Sequence, residues 1–109
     1  MNALEFHVLL ALSSGALHGY AIKDAIASES AGSITPRAGS LYRVLARLVT
    51  AGLITETEGR DADEAHPGLT RRYYALTARG RASLSAEARR LRAAAILAEK
   101  RLGVARGRS

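Results

Sequence analysis

Side chains that suit contact with phosphate are concentrated near the middle of the chain. Within nine residues the sequence places two arginines and three hydroxyl groups, at Thr35, Arg37, Ser40, Tyr42 and Arg43. An arginine forks onto two phosphate oxygens or onto the edge of a guanine, and a hydroxyl donates a single hydrogen bond. The small residues at positions 39 and 40 would let a helix backbone approach such a ligand closely. The segment therefore predicts contact with nucleic acid.

The residue types that carry enzyme or metal chemistry form no recognisable pattern. The histidines, at positions 7, 18 and 66, lack the spacing of metal ligands, and the sequence has no cysteine. No glycine-rich loop ends in Lys-Ser or Lys-Thr, and no serine lies in a nucleophile elbow. The acidic residues at 61–64 lack the spacing of a calcium loop. We therefore expect neither an enzyme nor a bound cofactor or metal.

The charge of the chain is positive and unevenly distributed. Sixteen Lys and Arg, nearly all of them arginine, face ten Asp and Glu, for a net charge of +6. Residues 1–54 carry a net charge of +1, residues 55–69 of −4 and residues 70–109 of +9. Such asymmetry indicates an anionic partner, most often nucleic acid. The acidic segment at 61–64 is expected to point away from that partner or to be mobile.

The composition is that of one small folded domain. The chain has 109 residues, of which 48% are hydrophobic. A chain of this length buries only about two-thirds of its unfolded surface, so a partner subunit would stabilise it. The lack of cysteine excludes a disulfide scaffold. The longest uncharged run, 7–22, is too short and polar to cross a bilayer, and no signal peptide is recognisable. We expect a cytoplasmic protein without membrane contact.

Hydrophobic spacing predicts four helices and two short strands. The helices span about 3–13, 19–30, 37–51 and 78–102, and the strands 53–58 and 70–76. Thr35 before Pro36 is interpreted as the N-cap of the third helix, and Gly52 as its left-handed C-terminal residue. Thr77 has the position of an N-cap for the last helix.

This order of elements is typical of a winged helix-turn-helix. The fold class is mainly α with a small β-hairpin, in which the third helix would enter the major groove and the hairpin would form the wing. Residues 1–77 would form the DNA-binding domain, residues 78–102 a C-terminal dimerisation helix, and residues 103–109 a disordered basic tail. The alternatives within the recognition segment are that Tyr42 packs under the wing and that Arg37 only solvates the helix end.

Further cations flank the recognition segment. Lys23 lies in the first turn of the second helix, where free N–H groups bind phosphate. Tyr20, beside it, is expected to pack in the core. Arg47, a turn beyond Arg43, would either contact phosphate or be solvated.

The wing strand supplies two more arginines. Arg71 and Arg72 lie on opposite faces of the second strand, and either side chain could reach a phosphate. One of them would alternatively pair across the hairpin with Glu56 or Glu58. Both arginines are predicted to contribute backbone contacts rather than base readout.

Three separated motifs resemble the PadR-like transcriptional regulators. They are Leu-His-Gly-Tyr-Ala-Ile at 17–22, Gly-Ser-Leu-Tyr at 39–42, and Arg-Arg-Tyr-Tyr-Ala-Leu-Thr at 71–77, followed by Gly80 and Arg81. The resemblance implies a dimeric, repressor-type DNA-binding protein with a single C-terminal helix. The chain departs from the family at Arg43, where proline is frequent, and at positions 37 and 38, so the family gives no expectation for the operator sequence.

The last predicted helix has a heptad pattern of apolar residues. Spacings of four and three residues connect Leu84, Ala88, Leu91, Ala95, Ala98 and Leu102. This seam is typical of a dimer interface between helices. The alternative is that one face packs on the first helix of the same chain, and both contacts are compatible. A two-fold dimer would place its recognition helices about 34 Å apart and would predict a palindromic site.

A small-molecule effector is a further implication of the resemblance. The lining expected for it is Phe6 and His7 on the first helix, with Leu91 and Ala95 on the last helix. Packing in the core is the alternative for these residues, and it is the more common role of such side chains.

The sequence thus predicts a homodimeric, sequence-specific transcriptional regulator, most simply a repressor that occludes a promoter. Its partners would be double-stranded DNA, a second copy of the chain and an effector. Two alternatives stay open: a winged helix that binds proteins rather than DNA, and a basic protein that binds nucleic acid without sequence preference.

Overall fold

A computed structural model describes residues 1–58 and 72–103. In chain order these residues form α1 (Ala3–Ala11), a 3₁₀ turn (Leu12–Ser14), β1 (Leu17–His18), α2 (Gly19–Glu29), α3 (Ala38–Thr50), β2 (Ile54–Glu58), β3 (Arg72–Leu76) and α4 (Ala78–Leu102). The result is a helical domain with a small antiparallel sheet, as the sequence predicts. The acidic segment at 61–64, Arg71 and residues 104–109 lie outside the described residues.

Helix α1 forms the centre of the core. A capping box starts it: the Asn2 side chain accepts from the Glu5 amide, and the Glu5 carboxylate accepts from the Asn2 amide, both at 2.8 Å. Val8, Leu9 and Leu12 are almost fully buried, which is the burial on several sides that an apolar helix requires. The predicted end at residue 13 falls in the 3₁₀ turn that tightens the last helical turn.

Helices α2 and α3 pack their apolar stripes on α1. Ile22 and Ile26 of α2 are fully buried, and Leu41 and Leu45 of α3 are at most 1% exposed. Gly52 follows α3 with φ of +79°, the left-handed conformation that glycine adopts at little cost. The predicted third helix, about 37–51, and its glycine stop are confirmed.

The sheet has three strands where the sequence predicts two. Its order is β1-β3-β2, with Leu17 opposite Tyr74 on one side of β3 and Glu56 opposite Tyr74 on the other. A strand of two residues has no measurable period, so hydrophobic alternation could not reveal β1. Strand β1 therefore pairs the wing strand β3 with His18, the N-cap of α2.

One junction connects α3, the wing and α4. The Thr77 hydroxyl donates to the Gly52 carbonyl at 2.7 Å and accepts from the Gly80 amide at 2.9 Å, which confirms Thr77 as an N-cap. The Thr77 amide donates to the Leu53 carbonyl at 3.2 Å. Gly80 is buried, and a Cβ there would overlap the same Leu53 carbonyl oxygen. The start of α4 is therefore fixed against the end of α3.

The C-terminal half of α4 extends away from the other helices. Its side chains are exposed from Ala88 onward with the exception of Glu99, and Gly103 ends the helix in the left-handed conformation with φ of +74°. None of the helices within 1–58 and 72–103 combines the length and apolar character that a bilayer crossing demands. Most of α4 is thus available for contacts outside the domain.

Replacing Gly80 by alanine should destabilise the domain by about 3 kcal/mol, because the new methyl group can be accommodated only by moving backbone. The matched control is Gly39→Ala, where the added Cβ meets nothing within 4 Å. That change should stabilise α3 by about 0.5–1 kcal/mol through its higher helix propensity. Urea unfolding at one fixed protein concentration measures both. Equal effects of the two substitutions would contradict the close contact.

Candidate nucleic-acid interface

The N-terminal half of α3 begins without a side-chain cap. The N-cap residue is Arg37, with φ of −77° and ψ of 150°, and its side chain makes no capping hydrogen bond. The prediction that Thr35 caps this helix is wrong. The helix begins at Ala38, so the buried Pro36 precedes it instead of forming its first turn, and Thr35 lies two residues before the N-cap. The other α-helices of the described residues are capped by Asn2, His18 and Thr77.

Polar side chains of α3 face solvent next to this open end. Arg37 and Arg43 are exposed, and Ser40 is half-buried between them. A guanidinium nitrogen of Arg43 lies 3.5 Å from the Ser40 hydroxyl, so both groups can reach one ligand. Gly39 on the same turn has open space where a side chain would be. This surface can therefore come close to a phosphate or a base edge.

Tyr42 connects α3 to the start of α2. Its ring lies against Gly19, where a Cβ would overlap the phenol oxygen. Tyr42 is still 51% exposed. It borders a shallow recess of about 80 Å³ between the two helices, lined by Gly19, Tyr20, Lys23, Ala38, Leu41 and Tyr42. Tyr42 therefore packs on α2 and presents its remaining surface beside the open end of α3.

Tyr20 is exposed, and the expectation that it packs in the core is wrong. It is 68% exposed, and the Lys23 ammonium lies 5.8 Å from its ring centroid, within the range of a cation–π contact. The stripe of α2 runs through Ile22 and Ile26 instead, which turns residue 20 outward. Lys23, which is predicted to contact phosphate, and the ring of Tyr20 thus lie together at this edge of the recess.

Arg47 is held by α1. Its Nε lies 3.2 Å from a carboxylate oxygen of Glu5, the residue that also closes the capping box of α1. The Arg47 side chain is still 58% exposed, so its predicted phosphate contact stays a prediction. The ion pair is a long-range contact between two helices and could not be found from the spacing of either one.

In the wing, Arg72 pairs across the strands. One of its guanidinium nitrogens lies 2.8 and 2.9 Å from the two carboxylate oxygens of Glu56. This is the cross-strand alternative predicted for one of the wing arginines. Arg72 remains exposed, and exposed pairs contribute about 0–1 kcal/mol, so a stronger anion can replace Glu56.

The predicted seam of α4 lies on one face of the helix. Leu84 packs against the core from a half-buried position, whereas Leu91 is 39% and Leu102 78% exposed. Ala88, Ala95 and Ala98 are also exposed. The first part of the seam therefore faces the protein's own domain, and the rest has no cover in a single chain.

A cavity of about 250 Å³ opens between the start of α1 and α4. Of the four residues predicted to bind an effector, Phe6, His7 and Leu91 line it, and Ala95 does not; the remaining lining consists of Met1, Asn2, Ala3, Glu87 and Arg90. Glu87 accepts from Arg90 at 2.6 Å, and this hydrogen bond holds the pKa of Glu87 below its usual range. The cavity thus combines apolar walls with one ion pair at its rim.

His7 also connects this cavity to α2. Its Nδ1 lies 3.9 Å from a carboxylate oxygen of Glu29. Burial raises the pKa of Glu29, and the nearby His7 opposes that effect. Among the described residues no group of His, Asp or Glu is arranged to hold a metal ion.

A family model decides what this arrangement belongs to. The model of the transcriptional regulator PadR-like family matches residues 8–86. The chain is a member of that family. The matched stretch runs from α1 into α4 and contains the whole candidate interface. The winged helix of the PadR-like regulators accounts for the helix order, and the family consists of regulators rather than enzymes.

Solved structures of PadR-like proteins share the fold. PadR of Bacillus subtilis, solved in complex with operator DNA, is 26% identical with a TM-score of 0.65, over 78% of this chain and 46% of that protein. A PadR-like regulator of Bacillus cereus is 22% identical with a TM-score of 0.77, over 91% and 90% of the two chains. One from Clostridium difficile has a TM-score of 0.76 at 21% identity, over 93% and 99%.

A curated relative is longer than this PadR-like chain. It is an uncharacterized 37.1 kDa protein in the transposon TN4556 of Streptomyces fradiae, 39% identical over 87 residues. The match takes in 80% of this chain and 22% of the relative, so the chain spans about a fifth of that protein's length. The similarity therefore concerns one part of a larger protein.

In this PadR-like chain the structure places five of the predicted DNA contacts at or beside the N-terminal half of α3. Arg37, Ser40, Tyr42 and Arg43 lie on the first turns of α3, and Lys23 lies across the recess from them. Sequence reasoning missed Tyr20, whose place outside the α2 stripe was the available signal. It also missed the Glu5–Arg47 pair, for which the sequence contains no local signal.

Proposed function

We propose that this PadR-like chain is a sequence-specific DNA-binding regulator whose α3 reads the major groove. The observation that carries the proposal is the open N-terminus of α3, which lacks a side-chain cap and has Arg37, Ser40 and Arg43 around it. Free N–H groups and the helix dipole favour an anion at that position. The operator complex of the Bacillus subtilis PadR supports the same use of the fold.

The proposed contacts divide into base readout and backbone positioning. Arg43 and Ser40 lie where the first turns of a recognition helix meet base edges. The remaining residues would contact the phosphate backbone on either side of α3. They are Lys23, Thr35, Arg37, Tyr42, Arg71 and Arg72. Arg71 enters this set from the sequence alone.

The regulator is proposed to act as a homodimer. The uncovered part of the α4 seam supports this, because its apolar residues repeat at the four-and-three spacing of paired helices. A two-fold dimer would present two copies of α3 about one turn of DNA apart and would bind an inverted repeat. A dimer on such a site would repress by covering the promoter.

A selection from random duplex DNA tests this function. At about physiological salt, where the Debye length is about 8 Å, long-range attraction is screened and sequence preference dominates the recovered pool. The expected result is an inverted repeat with half-sites about one helical turn apart. A single half-site would contradict the dimer. Recovery of no motif would contradict the regulator and favour a winged helix that binds protein.

Replacing Arg43 by alanine should weaken binding to the selected site by about 1–3 kcal/mol, because a bidentate contact to a base is lost. The measurement is a titration against the site and against the same duplex with one base pair changed. The matched control is Arg47→Ala, which removes an arginine of the same helix that pairs with Glu5 and should change binding less.

The outcome of that comparison assigns Arg43. A loss confined to the selected site identifies base readout, whereas an equal loss on every sequence identifies a phosphate contact. Unchanged binding would show that α3 is wrongly assigned as the recognition helix.

An effector is proposed to occupy the cavity beside α1. The proposal is supported by its volume of about 250 Å³ and by the lining that Phe6, His7 and Leu91 provide. An aromatic compound should raise the melting temperature in a thermal-shift screen, and Phe6→Ala should abolish that shift. A screen of aromatic compounds without any stabilising member would count against the effector.

A further inference from the structure

The positive charge of this protein is concentrated on α4 and not around α3. Helix α4 has seven cations and two acidic residues, whereas the other described residues have five of each. Sequence-independent attraction to DNA depends on the cations that meet phosphate. The winged part of the described chain is therefore close to neutral, and the charge on α4 requires a separate explanation.

Four of these cations lie on one flank of α4. At 100° per residue, Arg81, Arg89, Arg92 and Lys100 fall within an arc of about 100°. The side of α4 that faces α1 is a different one, since Glu87, Arg90 and Leu91 line the cavity there. All four cations are exposed. At 1.5 Å per residue this basic flank is about 28 Å long, close to one turn of duplex DNA.

The basic flank contains one acidic residue, Glu99, at the angle of Arg81, so its net charge is +3. Among the described residues, no acidic side chain forms an ion pair with Arg81, Arg92 or Lys100, and Arg89 donates to the hydroxyl of Ser85 at 2.8 Å. Arg89 and Arg92 are three residues apart, and like charges at that spacing destabilise a helix slightly. A bound anion would relieve this repulsion.

We propose that the basic flank of α4 is a second DNA-binding surface, which contacts the phosphate backbone without reading bases. A straight row of exposed cations fits a regularly charged rod, and guanidinium groups match phosphate oxygens. Its binding does not require the operator, so it goes beyond the readout proposed for α3.

The test measures binding to a duplex of random sequence as a function of salt. In the variant Arg89→Gln/Lys100→Gln, two flank cations far from the apolar seam are removed while helix propensity and side-chain length are kept. The matched control, Arg79→Gln/Arg101→Gln, removes equal charge from the neighbouring face of the same helix, about 90° away. Circular dichroism and sedimentation check that both variants keep the fold and oligomeric state of the parent chain.

The flank variant should lower the slope of log K against log salt by about 1.8 per chain, or about 0.9 for each lost contact. The ratio of the parent's affinity to that of the flank variant should then fall about 3.5-fold for each doubling of salt, since this ratio follows the same power law. The control should change the slope by less than half as much. Equal slopes for the two variants would overturn the proposal.

A second polyanion separates DNA from acidic protein. Ile96, which is 38% exposed, lies within the same flank and would suit a protein partner. If polyglutamate binds the parent chain as tightly as DNA does, and the flank variant loses both, the surface is not a DNA site. Because the duplex contains no operator, these results do not depend on whether α3 reads sequence.

Discussion

The close contact between Gly80 and the Leu53 carbonyl sets the geometry of the whole molecule. Because Gly80 has no side chain, α4 starts directly against Leu53, which follows α3. The Thr77 hydroxyl also connects α3 to α4, since it hydrogen-bonds to both Gly52 and Gly80. Everything on α4 is then positioned relative to α3 by backbone contacts. Because backbone is stiffer than side chains, this junction fixes the distance between α3 and the start of α4 within one chain.

The same rigidity holds α3 from several directions while its first turn stays open. Leu41 and Leu45 anchor it in the core, Arg47 attaches it to α1, and Tyr42 packs on Gly19 at the start of α2. These contacts fix the direction of the helix without covering Ser40 or Arg43. Such pre-organisation lowers the entropy lost on binding, which is how a small domain gains affinity from few contacts.

Sequence patterns predicted what depends on periodicity and local chemistry. The third helix, the glycine at 52 and the Thr77 cap are confirmed because each follows from neighbours along the chain. The strand Leu17–His18 could not be predicted, since it depends on a partner strand distant in sequence. The exposure of Tyr20 was missed, although its place outside the α2 stripe was a signal for it. Thr35 is not the cap because α3 begins at Ala38, which leaves Thr35 two residues before the N-cap Arg37.

The uncapped start of α3 gives up helix stability and leaves the N–H groups of its first turn free for a ligand. A serine or aspartate at residue 37 would supply the missing cap and would stabilise most helices by about 1 kcal/mol. That gain would place an acceptor on the N–H groups that an incoming anion needs, and would remove a cation. A capping substitution at residue 37 would therefore raise thermal stability and weaken the binding of an anion at this turn. The stabilising substitutions that spare it lie elsewhere in the fold.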